Sequence, residues 1–225
     1  MDKFKSKLAL SDIILGGQDG LVNVLGLTLG LFANQSNVKI ILVAGLAAGF
    51  AEAISMGAVA YTSSLADRDY YLKSMQNLRA DLLANTDKIR ERIRKIFIAK
   101  MFTGQSLDIL VDAISGDKDL TANLIMSDEL KLQPIETKGL LFSSFVVTIS
   151  AFIGSLIPLI PFLLFDKNPA MLLAVIICSL VLFIIGAYKA ITLVGIWWRS
   201  GLQMLLIGIL SAFAGFVIGF ILKVN

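Results

Sequence analysis

The sequence contains no histidine and a single cysteine, Cys178. Without histidine there is no imidazole metal site and no imidazole proton relay. One thiol in an apolar run gives neither an internal disulfide nor a thiolate metal cluster. Charge is scarce too: 16% of the 225 residues are Asp, Glu, Lys or Arg, where a soluble domain carries about 25%. There is no phosphate-binding glycine loop, no Walker pattern and no nucleophile–base pair, so neither an ATP-driven pump nor an enzyme is expected. The small basic excess does not point to nucleic acid. Lys3, Lys5 and Lys7 precede the first apolar run, where positive residues fix orientation. No cleavable leader is expected, because that run contains acids and lacks a small-residue cleavage site.

What the chain has is apolar sequence, 56% of it, and a strongly positive mean hydropathy. A bilayer span needs roughly 20 apolar residues. Five such runs are present: about Leu8–Ala33, Val38–Ser63, Gly139–Phe165, Ala170–Tyr188 and Gly201–Leu222. Asn34–Asn37 and Asp166–Pro169 are short polar turns, and Pro158 and Pro161 predict a kink in the third span. Between spans two and three lies a polar block holding twelve of the seventeen acids and twelve of the twenty bases. Within it, Leu72, Met75, Leu78 and Leu82, then Ile89, Ile93, Ile96 and Phe97, predict a helix over Asp67–Phe102 that Gly104 ends. Two shorter helices, Ser106–Ser115 and Leu120–Leu130, are separated by Gly116. The fold class is all-α: an integral membrane protein with five transmembrane helices and a small cytosolic helical bundle between helices 2 and 3. Its divisions are 1–64 for helices 1 and 2, 65–138 for the cytosolic module, and 139–225 for helices 3–5. The N-terminal lysines, the polar block and Lys189/Arg199 share one face, so the N-terminus and module are expected in the cytosol and the C-terminus on the far side.

Asp12, Asp19 and Glu52 fall inside the first two spans. A charge in hydrocarbon costs at least ~2.5–3.5 kcal/mol on insertion scales, so such acids line a polar path or pair with something. Asp12 and Asp19 are seven residues apart, nearly one helix face; Glu52 and Met56 are four apart, again one face. Taken singly, Asp12 also fits a hydrated membrane edge, Met56 more often serves packing, and Asp19 or Glu52 also fits a structural hydrogen bond. Taken together they present oxygens and a thioether to one cavity, a set that suits a divalent first-row metal better than calcium or magnesium. Gly26 and Gly30 form a small-xxx-small pattern, read as a tight helix contact beside the acidic path and across a dimer axis.

Several segments resemble the vacuolar iron transporter family. Gly16-Gly17-Gln18-Asp19-Gly20-Leu21-Val22 is similar to the signature of that family's first span. Ser55-Met56-Gly57, with Ala60-Tyr61 and Asp67-Arg68-Asp69, resembles its second span and the continuation into the cytosol. Ile157-Pro158-Leu159-Ile160-Pro161-Phe162 resembles its third, and Arg199-Ser200-Gly201 with Met204–Gly208 the opening of its fifth. The resemblance implies a homodimer, joined through the helix 1 region, that exports Fe2+, sometimes Mn2+, from the cytosol in exchange for protons. No cofactor is permanently bound; metal ions, protons and the lipid membrane are the partners. The path it implies is lined by Asp19 and Met56, with Asp12 near the cytosolic mouth, and helix geometry adds Glu52.

The family's cytosolic module collects metal on glutamates and methionines. Here Met126 and Glu129 match its end and Glu91 its first helix, but Lys88-Ile-Arg-Glu-Arg-Ile-Arg-Lys95 sets one glutamate among five bases, and Ile125 stands at a methionine position. Weak or absent metal storage is expected there, since each base repels an arriving cation. The host membrane is expected to be vacuolar-type in a eukaryote and the cell membrane in a prokaryote. A Mn2+-preferring or broad divalent exporter is the nearest alternative, and a non-transporting membrane metal sensor or scaffold is one of another class.

Overall fold

A computed structural model describes the backbone of residues 2–134, 137–192 and 195–222, and the side chains among these except those of residues 2–9, 137 and 138. Lys3, Lys5 and Lys7, one of the orientation cues, therefore lie outside the described side chains. The described residues form helices and no strand, and five of the helices are long and apolar enough to cross a membrane. The chain divides into two compact units, Met1–Tyr61 with Leu140–Asn225, and Thr62–Gly139.

In the first unit, α1 (Asp2–Ala33) and α2 (Val38–Ala84) are joined by a tight turn. The Ser36 N–H reaches the Leu31 carbonyl at 3.0 Å and the Gln35 N–H reaches Phe32 at 3.0 Å, with Gln35 at φ 59°. This pair of bonds closes a helix when one residue turns left-handed. Asn37 then caps α2, its Oδ1 accepting from the Ile40 N–H at 2.9 Å. α6 (Thr137–Leu156) ends where Pro158 and Pro161 remove backbone donors. A single 3-10 turn (Ile157–Leu159) and a short α7 (Ile160–Leu164) complete that span, which is the expected kink. α8 (Lys167–Thr192) and α9 (Trp197–Ile221) follow. The core gathers Leu21, Leu25, Ile41, Phe162, Ala174, Cys178 and Leu182.

Glycines let α1 lie directly on two neighbours. A Cβ on Gly20 would strike the Ala151 carbonyl of α6, and one on Gly154 would strike the Gly17 backbone. Further along, a Cβ on Gly215 or Gly219 of α9 would strike the Gly26 or Gly30 backbone. The Gly26–Gly30 pattern, expected across a dimer axis, is thus used within the chain against α9. The sequence shows only that small residues permit close approach; which helix takes the place is a tertiary outcome.

The second unit packs the end of α2 with α3 (Thr86–Ala99), α4 (Gly104–Ser115) and α5 (Lys118–Leu124), which runs on into a π turn (Ile125–Glu129). The expected single helix over Asp67–Phe102 is in fact two, broken at Asn85, whose backbone leaves the helical region at φ −136°, ψ 58°. Gly104 opens α4 rather than closing the preceding helix, which instead ends on Met101 at φ 69°. Leu78, Ile89, Ile93, Phe97, Leu107, Val111, Ile125 and Met126 make the core of this unit.

Candidate functional site

α1, α2 and α6 bring the intramembrane acids to their partners. α6 also touches α2: the Ser144 hydroxyl donates to the Gly57 carbonyl at 2.5 Å, and Thr148 fills the space a Cβ on Gly57 would need. Asp12 accepts a hydrogen bond from the Ser143 hydroxyl at 2.6 Å. Two turns further along α1, Asp19 lies beside Glu52, within hydrogen-bonding and charge–charge range. Glu52 also accepts a hydrogen bond from the side-chain amide of Asn23. Met56 sits one turn along α2 from Glu52, half-buried.

Asp19 and Glu52 therefore lie together from different helices, while Asp12, expected to share one cavity with them, is bonded instead to Ser143 of α6. Among the described residues no three acids or thiols gather in one place, so a single chain offers a pair of carboxylates with a thioether nearby. Asn23 and Ser143 were not singled out from sequence. Asn23 could have been, since it is four residues beyond Asp19 and shares its face. Ser143 is one of several hydroxyls on α6, and only the packing of α1 selects it.

Acids in the second unit keep different company. Arg92 grips both oxygens of Glu129, at 2.9 and 3.1 Å, and Lys100 pairs with Asp128 at 2.8 Å. Arg94 pairs with Asp108 at 2.6 Å, Arg90 with Asp112, and Arg79 with Asp119 at 3.1 Å. Lys95 bonds Glu91 at 2.7 Å, and that bond together with the Lys95 charge holds the Glu91 carboxyl below its ordinary range. Met126 is 1% exposed in the core of the unit. The three expected ligands are thus divided: Met126 packs among apolar side chains, and Glu129 and Glu91 each already hold a base.

By contrast, none of Asp12, Asp19 and Glu52 has a base within ion-pair distance among the described residues. The described donors to Asp12 and Glu52 are a serine and an asparagine, which orient a carboxylate without cancelling its charge.

The model of the VIT family matches residues 10–220. The chain belongs to the VIT family. It is similar to "Vacuolar iron transporter 1" of Eucalyptus grandis, 28% identical over 206 residues covering 91% of this chain and 83% of that protein. "Vacuolar iron transporter" of Plasmodium falciparum is 25% identical over 226 residues, 96% of this chain and 83% of its own length. "Protein CCC1" of Saccharomyces cerevisiae is 26% identical over 184 residues, 80% of this chain and 56% of its own length. The family match spans all five apolar helices of this multi-pass VIT-family protein.

Proposed function

We propose that this chain is a secondary transporter carrying divalent transition metal, Fe2+ first, out of the cytosol in exchange for protons. The observation that carries the reading is the contrast in partners. Asp12 and Glu52 inside the spans accept from neutral donors, while most described acids of the second unit, Glu91, Asp108, Asp112, Asp119, Asp128 and Glu129 among them, are held by arginine or lysine. An unpaired charge in an apolar setting is costly, and a cation that enters and leaves is the partner that accounts for it. The names of the relatives support iron as cargo, and oxygen with thioether fits Fe2+ and Mn2+ alike.

In this reading Asp19 and Glu52, ionised on the cytosolic side, take the metal with help from the Met56 sulfur. Protons taken up by the carboxylates on the opposite side remove the charge that held the cation and release it. Asp12 stands two turns nearer the mouth and concentrates cations at the entry. The N-terminus and the second unit are taken as cytosolic, and the membrane as vacuolar-type or, in a prokaryote, the cell membrane. A homodimer through the helix 1 region belongs to the same reading. One chain supplies two acids and a thioether where a transition metal takes about four to six donors, and Ala47, Ala51 and Ser55 leave an exposed small-residue face on α2 near Glu52.

The test is metal uptake by proteoliposomes under anaerobic conditions. Wild type accumulates Fe2+, and Asp19→Asn, folded by gel filtration and helix content, does not. Uptake retained in that variant overturns the role of Asp19. Competition by Mn2+ ranks the metals, and no uptake of either by wild type turns the reading to a membrane metal sensor.

A further inference from the structure

Glu52 is long and flexible, faces a like charge in Asp19, and projects from a helix whose neighbouring Ala51, Ile54 and Ser55 are exposed. When both carboxylates are ionised, the repulsion between them favours a conformation in which Glu52 swings away toward that open side. Asn23 opposes the swing. Its amide on α1 donates to a Glu52 oxygen on α2, one helical turn from Asp19.

We propose that Asn23 is a positioning residue for metal capture: it holds Glu52 against Asp19, so that carboxylates from two helices meet a cation as one site. This rests on the transport reading above.

Ser143 and Ser144 also reach across helices, to Asp12 and to the Gly57 carbonyl, but four other hydroxyls in the spans behave differently. Thr28, Thr148, Ser155 and Thr192 each bond a carbonyl of their own helix, three or four residues back, as a hydroxyl in an apolar setting does to satisfy itself. Asn23 instead spans two helices and spends its donor on an acid that faces Asp19. The amide is also the right chemical class for the task. A lysine or arginine there would fix Glu52 more firmly but would cancel its charge, as Arg92 does for Glu129 in the second unit.

The experiment is the metal dependence of initial Fe2+ uptake in proteoliposomes. Asn23→Leu keeps the approximate volume and removes the donor. Losing one hydrogen bond to a charged group predicts a half-saturating metal concentration raised about tenfold or more. The maximal rate at saturating metal should stay within about twofold, since the bond acts on capture. A role in packing alone would instead lower uptake in step with the amount of folded protein. The second arm is an exchange. Asn23→Asp sets a third carboxylate against Glu52 and is expected to be the worst variant. Adding Glu52→Gln restores an amide–carboxylate bond of reversed sense with the wild-type charge, and should recover about tenfold in half-saturation over Asn23→Asp alone. An unchanged half-saturation in Asn23→Leu, or an exchange no better than Asn23→Asp, overturns the proposal while leaving the transport reading intact. If Asn23→Leu does not fold, the exchange arm decides. If wild type takes up no metal, the transport reading fails and this one with it.

Discussion

Asp12, Asp19 and Glu52 carry charge into apolar surroundings, and their neighbours decide whether that charge is free to meet a cation. Ser143 does for Asp12 what an amide does for Glu52: it supplies one donor and no charge. Ser143→Ala should therefore raise the half-saturating metal concentration by about tenfold, the worth of one hydrogen bond to a charged group, with the maximal rate preserved. In the second unit the side chain to test is Met126. Buried at 1% exposure, it is expected to act as core. Met126→Ala should destabilise by about 2–5 kcal/mol, and Met126→Leu by under about 1.5 kcal/mol, both read by thermal unfolding. Metal-dependent stabilisation lost in Met126→Leu would contradict that role. Of these residues, the acids were legible in sequence because a charge in an apolar run has few explanations. Ser143 was not, because its importance depends on which helix α1 lies against.

Among the elements, α1 is fixed from two sides, by α6 around Gly16–Gly20 and by α9 around Gly26–Gly30. Gly20→Ala places a methyl group on the Ala151 carbonyl, a rigid backbone atom. It should cost about 1–3 kcal/mol as overpacking does, seen as a lower midpoint in thermal denaturation of the purified protein. Gly17→Ala, with its nearest neighbour at 3.7 Å, should be tolerated. The number and order of the five apolar helices were readable from hydropathy, though α2 runs on to Ala84, and the proline break in the third span was readable from chemistry that is local. What sequence did not give was the break at Asn85 and the start of α4 at Gly104. Apolar spacing continues across Asn85, and a glycine reads equally well as the end of one helix or the beginning of the next. In the same unit the ion pairs tie α3 to α4 and to the π turn through groups that are partly exposed, so each contributes little, ~0–1 kcal/mol. Together they predict that added salt lowers the unfolding midpoint of this unit and that a metal chelator leaves it unchanged.

For the whole molecule, the account requires a defined orientation and a cation exchanged for protons across five spans. Orientation can be read with the native thiol left in place, because Cys178 is fully buried. Asp87→Cys, on the exposed start of α3, should react with a membrane-impermeant maleimide from the cytosolic side alone, and Lys39→Cys from the opposite side alone. The reverse pattern would invert the proposed direction of transport. Direction and cargo both bear on the exchange itself, which is measured most directly as internal pH in proteoliposomes of the purified protein on addition of anaerobic Fe2+. The account predicts a metal-triggered proton flux in wild type, a smaller or larger one with Mn2+ according to preference, and none in folded Asp19→Asn. A flux that persists in Asp19→Asn, or its absence in wild type that nevertheless accumulates metal, would contradict exchange through this pair of carboxylates.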